Sequence, residues 1–383
     1  MKRLTLLFIF IASCLYAETE VDVSFLVVDL KYNEKQGVKI CEVQRTSVSV
    51  FKGYNLFGGT GFLAKQFSEI LSPYFTTIWA MTGDSQFRQA LKNEGYFSIR
   101  NLDELLQHPL FLEKAALPVD DPYRLDHYHG IIYAKKKDVG ALRQLKQDYP
   151  GIVVMDAAIP RDDKYFWNTL LESNERSARV KPCWKLYEKT YHSSLANTII
   201  NDLQCDLFVI KPVNATRGLG VIIVDKDRLD KTLKLILDDP KALKNTSDPS
   251  YEHWLYCSSS HFLVEEFIES DPVAFPPESS NLYDSTMRIP MILLYHQKNI
   301  QIHFLKGVWK LPKKPLSKKG SLNDRHKSRA KHFCKVSQRV QEAVEKQLSE
   351  AFIPVYERLL QRDGLMQATT NEAALRVKAA AMH

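Results

Sequence analysis

One stretch near the middle of the chain restricts the fold more than any other. A strand of the buried type, residues 207–210, runs directly into Lys211. A loop containing Gly218 and Gly220 then leads into a second strand. Glycines let backbone amides come close to an anion, and a lysine at a strand end supplies a point charge for phosphate oxygens. The stretch lacks the Gly-Lys-Ser/Thr ending of a Walker loop, and its glycines lead into a strand, unlike those of a Rossmann fingerprint. It predicts a phosphate-binding loop, with a plain turn between strands as the alternative.

A second segment, residues 263–268, reads Leu-Val-Glu-Glu-Phe-Ile. Taken in this order, the strand–lysine–glycine loop–strand unit and this segment resemble the ATP-grasp superfamily, whose members hold ATP between two α+β subdomains. The resemblance implies that Glu265 and the backbone as far as Ile268 contact the adenine base. It also implies that Asp271 contacts the ribose hydroxyls. A solvated strand end is the alternative for the paired glutamates.

The resemblance extends upstream to a first nucleotide-binding lysine. Asp163-Lys164, followed by Tyr-Phe-Trp, resembles the start of the helix that supplies this lysine in the superfamily, and Lys185 is a weaker substitute. The resemblance implies that Lys164 and Lys211 hold phosphate groups. It also implies that Arg217 and the two glycines belong to the loop that closes over them.

Two downstream elements resemble parts of the ligases in this superfamily. Asp284 and Arg288 precede a predicted strand, as in the D-x(n)-R element, whose arginine contacts phosphate or acyl-phosphate. Residues 321–326 read Ser-Leu-Asn-Asp-Arg-His and resemble the S-N-x-H loop of the glutamate-ligase branch. The resemblance implies catalytic roles for Arg288 and Asn323. For Arg288, the alternative is a surface ion pair with Asp284 of little energetic value.

The metal motif of the superfamily is missing from the place where we expect it. Members usually end with an Asp on one strand and a Glu-x-Asn on the next, which bind two Mg²⁺ ions. After Asn323 this chain runs into a predicted helix, residues 335–360, and we find no Glu-x-Asn strand. Asp284, Asn323 and Asp324 are the candidates to replace these metal ligands. The alternative is that the protein binds ATP weakly or does not turn it over.

The strand and helix patterns predict an α/β (α+β) chain. Alternating apolar residues at 22–50 indicate a hairpin, and a strand–helix–strand pattern at 130–156 indicates a parallel α/β unit. We predict an N-terminal α/β pre-ATP-grasp domain over residues 18–160, followed by a two-subdomain ATP-grasp fold over residues 161–360. Residues 361–383 are small and polar and are predicted to form a flexible tail.

The N-terminus predicts export. A cationic start, residues 1–3, precedes an apolar run, residues 4–12. The run is shorter than the ~20 residues that a membrane-spanning helix needs, and it fits a signal peptide over residues 1–17. Cleavage after Ala17 competes with a lipobox in which Cys14 carries a lipid anchor, and a buried N-terminal strand or helix is the alternative to export. An exported chain would be periplasmic, secreted or delivered into a host cell as a bacterial effector.

The basic charge of the chain is concentrated in one segment. Lys and Arg number 52 against 45 Asp and Glu, which gives a formal charge of +7. Residues 306–331 hold ten basic side chains and a single acid, Asp324. Trp309 is the one large aromatic residue among them, so a nucleic-acid groove is not expected. The segment predicts an anionic partner, either ATP phosphate or an acidic substrate, with a solvated loop as the alternative.

The N-terminal pattern predicts export, and the resemblance implies an ATP-binding protein that uses ATP and Mg²⁺. The resemblance implies an ATP-dependent ligase that joins a carboxylate to an amine through an acyl-phosphate. Two alternatives stay open at this point: a catalytically decayed scaffold that acts as a secreted binding protein, and a small-molecule kinase of the same superfamily.

Overall fold

The computed structural model describes residues 21–45, 53–54, 56–75, 77–81, 85–115, 129–133, 144–145, 152–160, 163–215, 218–244, 246 and 248–362. The predicted signal peptide, with Cys14 and Ala17, lies outside these residues, as does nearly all of the predicted tail. Within the described ranges, no helix is both long enough and apolar enough to cross a membrane.

Helices and strands both make up a large part of this chain, as the sequence predicts. The strands are β1 (Asp22–Asn33), β2 (Gly37–Arg45), β3 (Thr77–Met81), β4 (Phe97–Ser98), β5 (His129–Tyr133), β6 (Ile152–Val154), β7 (Trp184–Glu188), β8 (Leu207–Pro212), β9 (Ile222–Asp225), β10 (His261–Glu266), β11 (Val273–Ala274), β12 (Leu282–Tyr283), β13 (Thr286–His296), β14 (Asn299–Phe304), β15 (Val308–Pro312) and β16 (Ser328–Lys335). The helices are α1 (Thr60–Leu71), α2 (Ser85–Asn93), α3 (Leu102–Leu106), α4 (Pro109–Ala115), α5 (Lys164–Glu172), α6 (Glu175–Ala178), α7 (Leu195–Leu203), α8 (Lys226–Asp238), α9 (Pro240–Lys244), α10 (Pro249–Glu252), α11 (Leu322–His326) and α12 (Gln338–Arg362). The predicted α/β class is confirmed.

The largest sheet joins the N-terminal hairpin to the C-terminal part of the chain. Its strands follow the order β16-β15-β13-β1-β2, with β14 also paired to β13, and every pair is antiparallel. In β1, Leu26 and Val28 pack in a core with α12, whereas Phe25 and Val27 pack in a second core with α1. Because successive side chains of a strand point to opposite faces, β1 is covered on both faces. The hairpin expected from the sequence is present, and it completes a sheet made largely by residues 286–335. The domain boundaries stay a prediction.

Two smaller sheets complete the fold. The antiparallel sheet β7-β10-β8-β9 packs one face on α7 and α8, through side chains such as Ile210 and Phe262. The parallel sheet β4-β3-β5-β6 contains β5 and β6 as neighbours, which confirms the parallel pairing predicted from residues 130–156. Most of the helix predicted between these two strands lies outside the described residues.

The loop between β8 and β9 requires glycine at position 220. Gly220 has a φ of 71°, a left-handed value that residues with a side chain rarely adopt. A Cβ at this position would lie 2.8 Å from Cδ2 of His253 and would also collide with the ring of Pro212. The Gly220 carbonyl accepts a hydrogen bond from Trp254 Nε1 at 2.9 Å, so the loop is fixed to the neighbouring core at this residue.

We expect Gly220→Ala to lower the free energy of unfolding by about 2–4 kcal/mol, because the new methyl group adds overpacking to a strained φ. Urea denaturation measures this loss. Gly61→Ala in α1 is the matched control, since a Cβ there meets no atom within 4 Å and alanine favours the helix. Equal stability of the two variants would contradict this account of the loop.

Candidate active site

Glu265, near the end of β10, is the centre of a buried ion cluster. It is 2% exposed. One carboxylate oxygen pairs with Lys181 Nζ at 2.9 Å, and the other pairs with Lys211 Nζ on the adjacent strand β8. Asn168 Nδ2 also donates to Glu265 Oε1, at 3.2 Å. The structure therefore brings together the predicted phosphate lysine and the predicted adenine glutamate, and it adds Lys181, which the sequence analysis did not identify.

Both lysines also contact β2 of the largest sheet. Lys211 Nζ donates to the Cys41 carbonyl at 3.1 Å, and Lys181 Nζ donates to the Ile40 carbonyl at 3.2 Å. The Ile40 amide in turn donates to the Val180 carbonyl at 2.6 Å. The face of β10 and β8 that carries Glu265 and Lys211 therefore meets the largest sheet along β2. We call this contact zone the junction.

Across the junction, Asp29 of β1 is held by two cations. Arg288 of β13 donates from Nε and from a terminal nitrogen to the two Asp29 oxygens, at 2.7 Å each, and Lys310 Nζ donates at 2.8 Å. Glu42 of β2 lies directly opposite Asp29 in the strand pairing. The Glu42 carboxylate is 3.5 Å from Lys164 Nζ. Two predicted residues, Lys164 and Arg288, are thus placed beside carboxylates of the N-terminal hairpin.

Among the residues that the structure describes, basic side chains at the junction outnumber acidic ones. Its carboxylates are Asp29, Glu42 and Glu265, and its cations are Lys164, Lys181, Lys211, Arg288 and Lys310. Burying an uncompensated charge is costly, because the protein interior solvates ions poorly. A largely buried cluster with this excess of cations is therefore suited to receive an anion.

The ion pairs shift the pKa values of the carboxylates at the junction. Burial alone would raise the pKa of Glu265, but the charges of Lys181 and Lys211 outweigh it and lower the pKa to about 2. Burial would likewise raise the pKa of Asp29, and Arg288 and Lys310 instead hold it below its ordinary value. Both groups are therefore ionised at neutral pH, as partners of cations must be.

Two acidic residues of the N-terminal hairpin are paired in a way that resembles the metal motif of the superfamily. Residues 42–44 of β2 read Glu-Val-Gln, and Asp29 lies on the adjacent strand opposite Glu42. This is the arrangement of Asp on one strand and Glu-x-Asn on the next, with Gln44 in place of the asparagine. These strands belong to the N-terminal hairpin and not to the part of the chain after Asn323. The signal was readable as two predicted strands joined by a short turn, with Asp29 on the first and Glu42 on the second.

Side-chain oxygens of the kind that Mg²⁺ prefers lie on this pair of strands. Mg²⁺ prefers oxygen ligands and in nucleotide sites is usually held by one or two carboxylates together with phosphate oxygens. Asp29 and Glu42 provide the two carboxylates, and Gln44 provides an amide oxygen two residues further along β2. In the described ranges, no three His, Cys, Asp or Glu side chains gather into a complete metal cage.

The residues predicted as metal ligands make other contacts here. Asp284 is 1% exposed, and its Oδ1 accepts from Lys31 Nζ and from the Ser270 amide, each at 2.8 Å. Its Oδ2 lies 2.8 Å from His326 Nδ1. The alternative interpretation of Arg288, a surface ion pair with Asp284, is therefore wrong, because both side chains are buried and each has another partner.

The other predicted residues lie around the junction. Asn323 Oδ1 accepts from the Ile223 amide at 2.9 Å, which ties α11 to β9. Asp271 Oδ2 accepts from the Glu34 amide at 2.8 Å.

Ile268 is partly buried just after β10. Gly218, with a φ of 68°, lies in the loop before β9, whereas Arg217 is outside the described residues. The binding and metal roles proposed for these residues stay predictions.

The basic segment 306–331 extends from the junction to the glycine loop. Lys310 is buried at Asp29, and Lys313 and Lys314 share Asp324 at 3.4 and 3.8 Å. Lys327 Nζ donates to the Val221 carbonyl at 3.2 Å, beside the glycine loop. The segment therefore adjoins the place where phosphate is predicted, and its anionic partner stays a prediction.

Comparison with known proteins shows similarity among solved structures. No protein-family model matches the sequence, and no curated protein matches it. A gamma-glutamylcysteine synthetase-like protein from Methylobacillus flagellatus is 11% identical and has a TM-score of 0.42, with 88% of this chain and 89% of that chain covered. A glutathione synthetase-like effector from Globodera pallida is 10% identical with a TM-score of 0.37, covering 76% and 74%. D-alanyl-alanine synthetase A from Vibrio cholerae is 12% identical with a TM-score of 0.34, covering 74% and 81%.

These neighbours are of the ATP-grasp type, the superfamily that the sequence resembles. All three TM-scores are below 0.5, so we base the function on the geometry of the junction.

We expect Glu265→Gln to lower the free energy of unfolding at pH 6 by about 3–5 kcal/mol, because two buried lysines lose their shared partner. The folded-state pKa of Glu265 is about 2, below the ordinary 4.5, so its stabilising contribution is complete above pH 4.5 and is lost as the pH falls toward 2. Urea denaturation at pH 6 and pH 3 should therefore show a smaller difference between variant and wild type at pH 3.

The control for this prediction is Glu266→Gln, because the adjacent Glu266 accepts from the Cys183 amide at 2.8 Å and from the Cys183 thiol rather than from a buried lysine pair, and the change should cost about 1 kcal/mol or less. A Glu265→Gln deficit that does not shrink between pH 6 and pH 3 would contradict the coupling of Glu265 to the two lysines.

Proposed function

We propose that this chain binds ATP with Mg²⁺ at the junction and uses it to join a carboxylate to an amine. The observation that carries the proposal is the cluster itself: five cations and three carboxylates packed beside a glycine loop, between β8–β10 and the β1–β2 hairpin. An anionic ligand with several phosphates would supply the negative charge that the cluster lacks.

Lys164 and Lys211 are the residues that we assign to the phosphates. Lys211 ends β8 at the point where the glycine loop begins. Lys164 Nζ donates to the carbonyl of Ala215, within that loop. Both ammonium groups thus lie at the base of the loop, where Gly218 and Gly220 allow backbone amides to approach phosphate oxygens.

Asp29, Glu42 and Gln44 are the residues that would hold Mg²⁺. When bound, the metal neutralises charge on the β- and γ-phosphates. Asp29 is now paired with Arg288 and Lys310, so phosphate oxygens would have to take over those cations. The same two cations would then stabilise negative charge on the transferred phosphoryl group.

The proposed reaction has two steps. A substrate carboxylate oxygen forms a bond to the γ-phosphorus, and ADP leaves with the electron pair of the broken P–O bond. The nitrogen of an amine then forms a bond to the acyl carbon, phosphate leaves with the electron pair of the broken C–O bond, and the proton lost by the nitrogen passes to phosphate or solvent. The barrier is lowered mainly by positioning and by charge stabilisation, to which Arg288, Lys310 and the phosphate lysines contribute.

A protein that binds ATP without turning it over is the second candidate, and two observations favour it. Gln44 is one methylene longer than the asparagine of the superfamily motif, which displaces its amide oxygen. Both oxygens of Asp29 already accept hydrogen bonds from cations. Release of ADP in the presence of hydroxylamine and a mixture of amino acids would favour the ligase, and binding without ADP release would favour the second candidate.

We also propose that the chain is exported and that its substrate is acidic. The basis for export is the pattern of residues 1–17, which is compatible with a periplasmic, secreted or host-delivered protein. The basis for an acidic substrate is the basic segment 306–331, which adjoins the glycine loop at Lys327 and the junction at Lys310.

We expect the wild-type chain to bind Mg·ATP and Lys211→Met to bind it at least tenfold more weakly, because one phosphate ligand is lost from a buried site. Isothermal titration calorimetry measures both affinities. Lys231→Met is the matched control, since Lys231 is exposed on α8, which packs on the other face of the sheet that carries Lys211, and should leave the affinity unchanged. Absence of binding by the wild type, or equal affinities for the two variants, would overturn the proposal.

A further inference from the structure

His326 and Asp284 form a buried pair that the proposed reaction does not use. His326 ends α11 and is 6% exposed, and its Nδ1 lies 2.8 Å from Asp284 Oδ2. The other oxygen of Asp284 is fixed by Lys31 Nζ and by the Ser270 amide, each at 2.8 Å. The carboxylate is thus held on three sides, and it in turn fixes the orientation of the imidazole ring.

This orientation determines the hydrogen-bonding character of the free side of the ring. Asp284 is a carboxylate paired with a lysine, so it accepts a hydrogen bond and Nδ1 is the donor. In the neutral imidazole the second nitrogen, Nε2, is then an acceptor. In the described part of the chain, no residue forms a hydrogen bond with His326 Nε2. A ligand group that pairs with this atom of the neutral ring is therefore a donor.

The position of His326 indicates which part of a bound nucleotide could supply this donor. Its ring packs edge-on against Phe267, which directly follows β10, with ring centroids 5.0 Å apart. The next residue, Lys327, donates to the Val221 carbonyl at 3.2 Å, and its Cε lies 3.3 Å from the Cβ position of Gly218. His326 therefore lies between the segment assigned to the base and the loop assigned to the phosphates.

The part of a nucleotide that lies between its base and its phosphates is the sugar. Phosphate oxygens are acceptors and cannot donate to an acceptor nitrogen, whereas the ribose hydroxyls can donate. We propose that His326 Nε2, with the ring positioned by Asp284, accepts a hydrogen bond from a ribose hydroxyl of the bound nucleotide. The site would thereby prefer ribonucleotides over deoxyribonucleotides. This inference rests on the proposed binding of ATP at the junction.

Calorimetric titration with Mg·ATP and with Mg·2′,3′-dideoxy-ATP tests the proposal. We expect the wild type to bind ATP about tenfold more tightly than the dideoxy nucleotide, because a buried acceptor is left unpaired in the second complex. His326→Leu should bind the two nucleotides with nearly equal affinity. His326→Gln retains a side-chain acceptor and should restore part of the preference.

The matched control is His303→Leu, because His303 is a partly buried histidine on β14 and is not part of the junction. It should retain the full preference for ATP, and melting temperatures should show that each variant is folded. A wild type that binds both nucleotides equally, or a His326→Leu variant that keeps the preference, would overturn the role of His326 while ATP binding stands. A wild type that binds neither nucleotide would overturn the proposed function and this inference together.

Discussion

The paired hydrogen bonds between Arg288 and Asp29 fix the geometry on which the junction depends. Asp29 and Arg288 are opposite each other in the register of β1 with β13, so the N-terminal hairpin can take only one position relative to the strand that carries the arginine. A one-residue slip would turn every side chain of β1 to the other face. Because β1 is buried on both faces, such a slip would also move its apolar residues between two different cores.

The charged groups are positioned by the core and are not its main source of stability. A buried ion pair gains little net free energy, because the cost of removing both ions from water offsets their attraction. Apolar burial on the two faces of β1, against α12 and against α1, stabilises the sheet instead. This arrangement explains how a surplus of buried cations is tolerated, and it leaves the cations available for a ligand whose charge they match.

Local sequence patterns predicted the strands of the sheet β7-β10-β8-β9 well and the residues of the junction only in part. Lys211, Glu265 and Lys164 were found because each follows or precedes a recognisable strand or helix. Lys181 was not predicted, and Lys310 was predicted only as part of the basic segment, because only tertiary contacts bring the two lysines to their acids. The contacts of Asp29 with Arg288 and Lys310 could not be predicted, because the pairing of β1 with β13 joins residues more than 250 positions apart and such contacts leave no local pattern.

The basic segment shows the same difference between composition and structure. Its composition predicts one basic surface that binds an anionic partner. In the structure, however, Lys310 is buried at Asp29, and Lys313 and Lys314 share one acid. The charge is therefore distributed from the interior of the junction to the surface near the glycine loop.

The central claim is that the N-terminal hairpin supplies the metal-binding oxygens of a nucleotide site. Electron paramagnetic resonance of Mn²⁺ added to the protein with a non-hydrolysable ATP analogue tests it directly, because free and bound Mn²⁺ give different signal intensities. We expect the wild type to retain Mn²⁺ in the presence of the analogue, and Glu42→Gln to retain it at least tenfold less tightly. Glu34→Gln, in the exposed turn of the same hairpin, should behave as the wild type. Undiminished Mn²⁺ binding by Glu42→Gln would contradict the claim.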